Sequence, residues 1–535
     1  MPLLTTVPTQ ASAPGGFHSP LARAGARVAL LTLLGALAAC DVFDESLESR
    51  LVSADASAAT LAPLECRTHA DCADRPNGPT ACVKPEGRCV PLKNDVCPTI
   101  TGDLSSNETI VLGSLLSVSG AQGMTNLPRQ QSAMLAIEAI NNVGGVPGMG
   151  TTKRPLVLVS CDEAADLNRA SAHLINELKV PAIVGPNVSQ DVITVSNKFS
   201  VAGNTVLLSP TAVASSIADL TDNDLTWIMV PSDEQRAPLM IEQIGEIESE
   251  LRAQRPDRPI KLSIVHRSDA LGMGTRVALN SLVLNEMTLA ENLSPNTATV
   301  SIEPYGADAM NQDALVEREL AFAPDIVVMA GLAEAITQVM SPLEAKWRGT
   351  ARPYYVLIDS LKVPKLIAAT TGNDDLRKRV RGTGIVSTAR SAPVLDAFRV
   401  DYQTRWPNSP STISGIGPSY DATYAIAYAL AATRDLPISG ASIAAGLKKL
   451  SMGGNAIEVS STKILAAFQQ LASGKSIEAI GTFAALEWDA RGAPLGGRVE
   501  VWCIAPGTPS ATFASSDLSM DLKTMKLDGS YIQCE

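Results

Sequence analysis

Residues 110–120 read IVLGSLLSVSG, residues 133–148 read AMLAIEAINNVGGVPG and residues 154–162 read RPLVLVSCD. The first piece is an apolar run, Ile110 to Leu116, that ends in Ser117, Ser119 and Gly120. Such a run suits a strand buried on both faces of a parallel sheet and leading into a tight turn. The second piece places Met134, Leu135, Ile137 and Ile140 at helical spacing and stops at Asn141-Asn142-Val143-Gly144-Gly145. Asn and Gly tolerate positive φ and so end helices. The third piece is apolar from Pro155 to Val159 and closes on Cys161-Asp162. Strand, helix and strand of these lengths make a βαβ unit.

The same alternation continues along the chain. Ala182–Val184 runs into Gly185-Pro186-Asn187, and Thr205–Leu208 into Ser209-Pro210-Thr211. Leu262–Val265 runs into His266-Arg267-Ser268-Asp269, Ile326–Ala330 into Gly331, and Tyr354–Ile358 into Asp359-Ser360. Each short apolar run ends in polar or turn residues and precedes a helical pattern, which predicts an α/β fold with doubly wound, mainly parallel sheets. Ligands in such sheets sit beyond the carboxyl ends of the strands, so the residues just after each run are the candidates for binding. Composition agrees. Aromatics make up 4% of the 535 residues and aliphatics abound, which suits helices packed on parallel strands. The length allows two or three domains. A net charge of −12 argues against a nucleic-acid partner, which would need a basic face.

The N-terminal segment reads as an address. Arg23 and Arg27 precede the apolar stretch Val28–Leu37, and Leu37-Ala38-Ala39-Cys40 follows. The apolar stretch is too short to span a bilayer but suits a signal sequence. Small residues before a Cys resemble the lipobox of bacterial lipoproteins, which implies lipidation of Cys40, export and a membrane anchor facing the periplasm or the cell exterior. Residues 1–40 are therefore expected to be signal peptide. Residues 41–65, rich in Ala, Ser, Asp and Glu, are expected to be a flexible tether.

Of the nine cysteines, Cys66, Cys72, Cys82, Cys89 and Cys97 crowd into residues 66–98, while Cys161, Cys503 and Cys534 are dispersed. The cluster has no C-x2-C knuckle and His69 is its only histidine, so a disulfide-stapled module is favoured over zinc. Spacing alone leaves the connectivity open. The expected arrangement is two bridges within Cys66–Cys89, one from Cys97 to Cys161 and one from Cys503 to Cys534.

The ordered strand, SG turn, helix ending in N-x-x-GG and strand ending in an acidic turn resemble the opening of type I periplasmic binding proteins, the leucine/isoleucine/valine-binding group. The resemblance covers about residues 105–505 and leaves 506–535 as a C-terminal extension. It implies two lobes, one using about 105–232 and 383–480, the other about 233–382 and much of the remainder. It also implies a small ligand bound as the lobes close. Ile183–Ser189 resembles the family's I-G-x-x-x-S loop, which places Ser189 against a ligand carboxylate. Ser209–Val213 resembles its (S/T)-P-x-x-T loop, but Val213 stands at the Thr position and Thr211 is the nearest hydroxyl. His266–Gly274 resembles the D-x-x-x-Y-G-x-G turn, with Arg267 at the Asp position and Leu271 in place of the aromatic lid. Asp359 falls where amino-acid binders set a carboxylate against the ammonium. Ser419–Ala422 resembles the Y-D-A helix start, and Glu487–Gly492 the structural F-D-x-x-G hairpin. The implied ligand-binding set is Ser189, Thr211, Ala212, Leu271, Asp359 and Tyr420.

The function implied is that of an ABC-transporter substrate-binding lipoprotein for an amino acid or a relative, with an ABC permease as its partner. The alternative is a sensing or scaffold lipoprotein without a permease. No cofactor or metal is expected. An enzyme is disfavoured, because neither G-x-S-x-G nor H-E-x-x-H nor a Walker lysine motif occurs. His266, which follows a strand, reads as a structural residue of the cleft between the lobes.

Overall fold

The computed structural model describes residues 64–76, 78–291, 298–306 and 311–535. The predicted signal segment, Cys40 and all but the last two residues of the predicted tether lie outside the described residues. From Leu64 onward the chain builds two large sheets, one in each of two lobes, and four two-stranded ones. The first sheet has strand order Thr226–Ile228, Val206–Ser209, Ala182–Val184, Ile110–Leu116, Leu156–Asp162, Thr99–Thr101. Its neighbours pair in parallel except the last, which runs antiparallel to Leu156–Asp162. All seven residues of Leu156–Asp162 are buried, as a strand covered on both faces requires. One cover is the helix Gly123–Asn142. Another is the helix Ile416–Ala432, every residue of which is buried. Its Tyr420, Tyr424 and Tyr428 stack in sequence and reach Phe398 and Phe468. The few aromatics of the chain are thus concentrated where one helix must fill space on all sides.

The second sheet has strand order Val300–Tyr305, Leu262–Arg267, Ile326–Ala330, Tyr354–Leu357, Val380–Val386, Arg498–Ala505, Thr512–Asp521, Lys526–Asp528. The first five pair in parallel and the last three are added antiparallel. Here the structure differs from the reading of residues 506–535 as an extension, because Thr512–Asp521 and Lys526–Asp528 complete the second lobe's sheet. Strand Thr512–Asp521 is partly exposed and rich in Ser and Asp, so it lacks the continuous apolar run of a buried parallel strand.

The chain passes between lobes three times. Met229–Ser232 leads from the first sheet into the helix Asp233–Gln254, Ser387–Ser391 leads from the second sheet to the helix Ala392–Arg405, and residues 481–497 lead back to Arg498–Ala505. The second and third crossings are tied together, with the Thr388 N–H donating to the Phe483 carbonyl (3.0 Å) and the Ser387 hydroxyl to that of Thr482 (2.6 Å). The first crossing falls at the expected 232/233, whereas the expected 382/383 boundary lies inside Val380–Val386, a strand of the second sheet, so the second crossing comes only after Val386. The hairpin at Glu487–Gly492 is structural, since the Trp488 indole donates to the Ile228 carbonyl (2.9 Å) and the Asp489 carboxylate accepts from the N–H groups of Arg491 and Ala493.

The four bridges are Cys66–Cys82, Cys72–Cys89, Cys97–Cys161 and Cys503–Cys534. Cys66, Cys72 and Cys82 lie close together, but each is oxidised and offers no thiolate to a metal. The module is a hairpin, Thr80–Val83 with Arg88–Pro91. It is too small to fill a core of its own. Its Ala81, Val83, Val90 and Leu92 pack instead with Val157, Val159, Leu174 and Ile175 of the first lobe.

Cys503–Cys534 closes a loop of sequence separation 31 around the antiparallel strands. The chain-entropy relation gives such a loop about 3–4 kcal/mol. Replacing both cysteines by Ser should lower the unfolding free energy by about that much in denaturant titrations. An unchanged midpoint would mean that the sheet holds the tail unaided.

Candidate functional site

The two lobes face each other across a narrow cleft with about 60 Å³ of free space. Its walls come from the carboxyl ends of strands, as parallel sheets require. The first lobe supplies Asn187, Val188 and Ser189 after Ala182–Val184 and Thr211 after Val206–Ser209. It also supplies Asn126 and Arg129 from the start of the helix Gly123–Asn142. The second lobe supplies Leu271 after Leu262–Arg267, Leu332 after Ile326–Ala330, and Asp359 and Ser360 after Tyr354–Leu357.

Four of the six expected binding residues, Ser189, Thr211, Leu271 and Asp359, therefore meet in one cleft. Two do not. Ala212 is buried with Val192, Ile217 and Ile228, and its N–H donates to the Ser209 hydroxyl. Tyr420 is buried in the first lobe's core and its hydroxyl donates to Tyr424 (3.1 Å). The helix begins at Ile416, so Tyr420 lies a full turn inside it rather than at the mouth.

The hydroxyl groups are already engaged. Ser189 Oγ accepts the N–H groups of Val213 and Ala214, both at 3.1 Å, which leaves its own proton for another acceptor. Thr211 donates to the carbonyl and the side-chain oxygen of Asn187 (3.1 Å each). The Asn187 amide donates to Asn126 Oδ1 (2.7 Å), which also accepts Arg129 Nη1 (2.7 Å). Arg129 Nε donates to the Ser414 carbonyl (2.8 Å). Two bonds thus orient the guanidinium, and among the described residues its Nη2 has no partner. Burial lowers the Arg129 pKa to about 10, against the opposing charges of Asp359 and Glu163.

Asp359 is not free. Its Oδ1 lies 2.7 Å from Nη1 of Arg236, a buried residue in the first turn of the helix Asp233–Gln254. The Nε and Nη2 atoms of Arg236 have no hydrogen-bond partner among the described residues; Asp359 is its ion-pair partner, and the buried Asp233 carboxyl lies in its field as well. His266 is buried, its Nδ1 hydrogen-bonds the Arg267 carbonyl (2.8 Å), and burial pushes its pKa down. It does not line the cleft.

Arg129, Asn126 and Arg236 were not legible as site residues. Arg129 is a polar position of a helix with no motif around it, and its orienting carbonyl lies 285 residues away. The loop containing Asn187 was singled out, but for Ser189.

No family model matches the chain, and no curated protein does. Solved structures do. A leucine-binding protein from Thermotoga maritima is 14% identical with a TM-score of 0.55, covering 76% of this chain and 98% of that one. A branched-chain amino acid transporter substrate-binding protein from Streptococcus pneumoniae, in complex with isoleucine, is 15% identical with a TM-score of 0.53, covering 76% and 99%. A type 1 periplasmic binding protein from Bordetella pertussis Tohama I is 16% identical with a TM-score of 0.53, covering 76% and 100%. The fold is thus that of the two-lobed type I periplasmic binding proteins.

Two outcomes test this geometry. Gly415 has φ +83°, and a Cβ there would run into the Thr211 methyl and the Arg129 guanidinium. Gly415→Ala should cost roughly 1–3 kcal/mol in denaturant unfolding, and an unperturbed variant would show that the turn is not as described. Behind the cleft, Glu163 accepts the Ser117 hydroxyl (2.6 Å). Burial, then the nearby Asp191 charge, raises its pKa from 4.5 to about 8. The folded state then keeps a proton that the unfolded state releases, so the contribution is full below about pH 4.5 and is lost as pH rises through about 8. Glu163→Gln should therefore gain stability relative to the parent on going from pH 5 to pH 9. An equal difference at both pH values would refute the buried, protonated carboxyl.

Proposed function

We propose that this chain is an extracytoplasmic solute-binding protein that captures a small polar ligand between its lobes. The observation that carries this reading is the cleft itself. Both lobes line it with residues at strand ends, and the three crossings give the lobes a common hinge. A ligand touching Ser189 and Arg129 on one side and the Leu271–Asp359 wall on the other makes its full set of contacts only when the lobes close. It therefore shifts the open–closed equilibrium by its differential affinity for the closed form.

Export with lipidation at Cys40, an amino acid or its carboxylate or amide relative as ligand, and delivery to an ABC importer complete the proposal. Among the described residues no helix is long and apolar enough to cross a membrane, so the proposed attachment runs through the lipid alone. The lack of G-x-S-x-G, H-E-x-x-H and Walker lysine motifs, and the burial of His266 against the Arg267 carbonyl, favour binding over catalysis.

A thermal-shift screen with amino acids, amides and small carboxylates tests the reading. A ligand at a hundredfold excess over its Kd should stabilise the protein by about 2.7 kcal/mol. The same ligand should reduce the radius of gyration in small-angle scattering as the lobes close. Ser189→Ala should weaken it by about 1–3 kcal/mol in calorimetry. A ligand that stabilises without contracting the protein, and that binds Ser189→Ala as tightly as the parent, would place binding outside the cleft.

A further inference from the structure

The cleft wall holds a guanidinium that no carboxylate pairs with directly among the described residues. Among its lining residues, Arg129 and Asp359 are the ionisable ones. Asp359 is committed to Arg236 (2.7 Å), a buried guanidinium whose other nitrogens have no hydrogen-bond partner among the described residues. Withdrawing the carboxylate toward a ligand ammonium would take away that guanidinium's ion-pair partner and leave only the buried Asp233 carboxyl in its field. Arg129 is in the opposite condition. Ser414 and Asn126 hold two of its nitrogens, and the third is unpartnered among the described residues. A guanidinium fixed in this way presents a directional, charge-assisted donor to an anion. The Ser189 hydroxyl adds a second donor, since its oxygen is occupied by two backbone N–H groups and its proton is uncommitted. The rest of the wall includes the apolar side chains of Val188, Val230, Leu271 and Leu332. The buried Glu163 behind the cleft, raised to about 8, adds little negative charge near neutral pH.

We infer that the cleft selects an apolar monocarboxylate, a carboxylic acid without an α-ammonium, whose carboxylate is held by Arg129 and whose hydrocarbon body rests on Val230, Leu271 and Leu332. This rests on the solute-binding reading above and narrows it. A zwitterion would place an ammonium where the one acidic side chain already serves Arg236. A monocarboxylate meets the open donor of Arg129 and leaves the Asp359–Arg236 pair intact.

The test is a calorimetric titration of the purified protein with 4-methylpentanoate and with leucine, which differ by the ammonium. A wider panel of short aliphatic and aromatic monocarboxylates is titrated with their α-amino counterparts. The carboxylates should bind at least about tenfold more tightly than those counterparts. Arg129→Gln should weaken the best carboxylate by about 10- to 100-fold, as for a lost charge-assisted hydrogen bond, and Arg129→Lys should recover part of the loss. Asp359→Asn should lower thermal stability while changing carboxylate affinity far less than Arg129→Gln does. Leucine or another amino acid binding as tightly as its carboxylate, with that affinity lost in Asp359→Asn, would overturn the inference and leave the cleft as a solute site. Neutral or cationic solutes contracting the lobes while the carboxylates stay silent would do the same. If no solute of any charge contracts the lobes, the solute-binding reading falls with it.

Discussion

A parallel sheet must be covered on both faces, and in this chain that requirement dictates the path of the backbone. The first lobe's strands follow one another between Ile110 and Ile228, yet one of their covers is the helix Ile416–Ala432, which the chain reaches only after building most of the second lobe. That helix is buried along its whole length and joins the core of Leu112, Leu158, Val184 and Leu208. The chain must therefore leave the first lobe, return to it, and leave again to add Arg498–Ala505 to the second sheet. The three crossings are a consequence of covering the sheet. So is the cleft, because strand ends that cannot be covered from within a lobe face those of the other.

The polar groups at those strand ends are arranged more for preorganisation than for solvation. Thr211, Asn187, Asn126 and Arg129 form a continuous hydrogen-bonded series within the first lobe. Each member fixes the next, so the guanidinium at its end is positioned before any ligand arrives. On the far side, Arg236 and Asp359 form a buried pair that lowers the cost of burying either charge alone. Arg236 sits at the first turn of a second-lobe helix that begins just after a crossing, so the pair also ties the hinge to the cleft wall.

The parts of this fold that were legible in the sequence were those written in local pattern. The runs Ile110–Leu116, Ala182–Val184 and Ile326–Ala330 are strands with the expected bounds, because parallel strands buried on both faces need continuous apolar residues. That the cysteines form bridges was legible once export was assumed, but spacing left open which of Cys66, Cys72, Cys82 and Cys89 pair. The antiparallel strand Thr512–Asp521 was missed because it is half exposed and its Ser and Asp residues look like loop. Within the cleft, Ser189, Thr211, Leu271 and Asp359 were legible from loops that follow strands. Arg129 and Arg236 were not, since each sits in a helix and acquires its meaning from a partner more than a hundred residues away. Tyr420 was misplaced for a related reason. A three-residue motif identifies a helix but not how deeply its first turn is sunk.

The small module makes the two lobes unequal. Its hairpin has too few apolar residues to stand alone, and it borrows Val157, Val159, Leu174 and Ile175 from the first lobe. The Cys97–Cys161 bridge fastens it to Leu156–Asp162, and Thr99–Thr101 pairs with the same strand, so backbone, disulfide and apolar contact all join it to the first lobe. The second lobe has its own covalent fastening, Cys503–Cys534, which pins the end of the chain beside Arg377, whose guanidinium donates to the carbonyls of Ile504 and Cys534. Neither bridge spans the cleft. The hinge is therefore left to three strands of backbone and their hydrogen bonds, and rotation about it moves the second lobe relative to the first lobe and the module together.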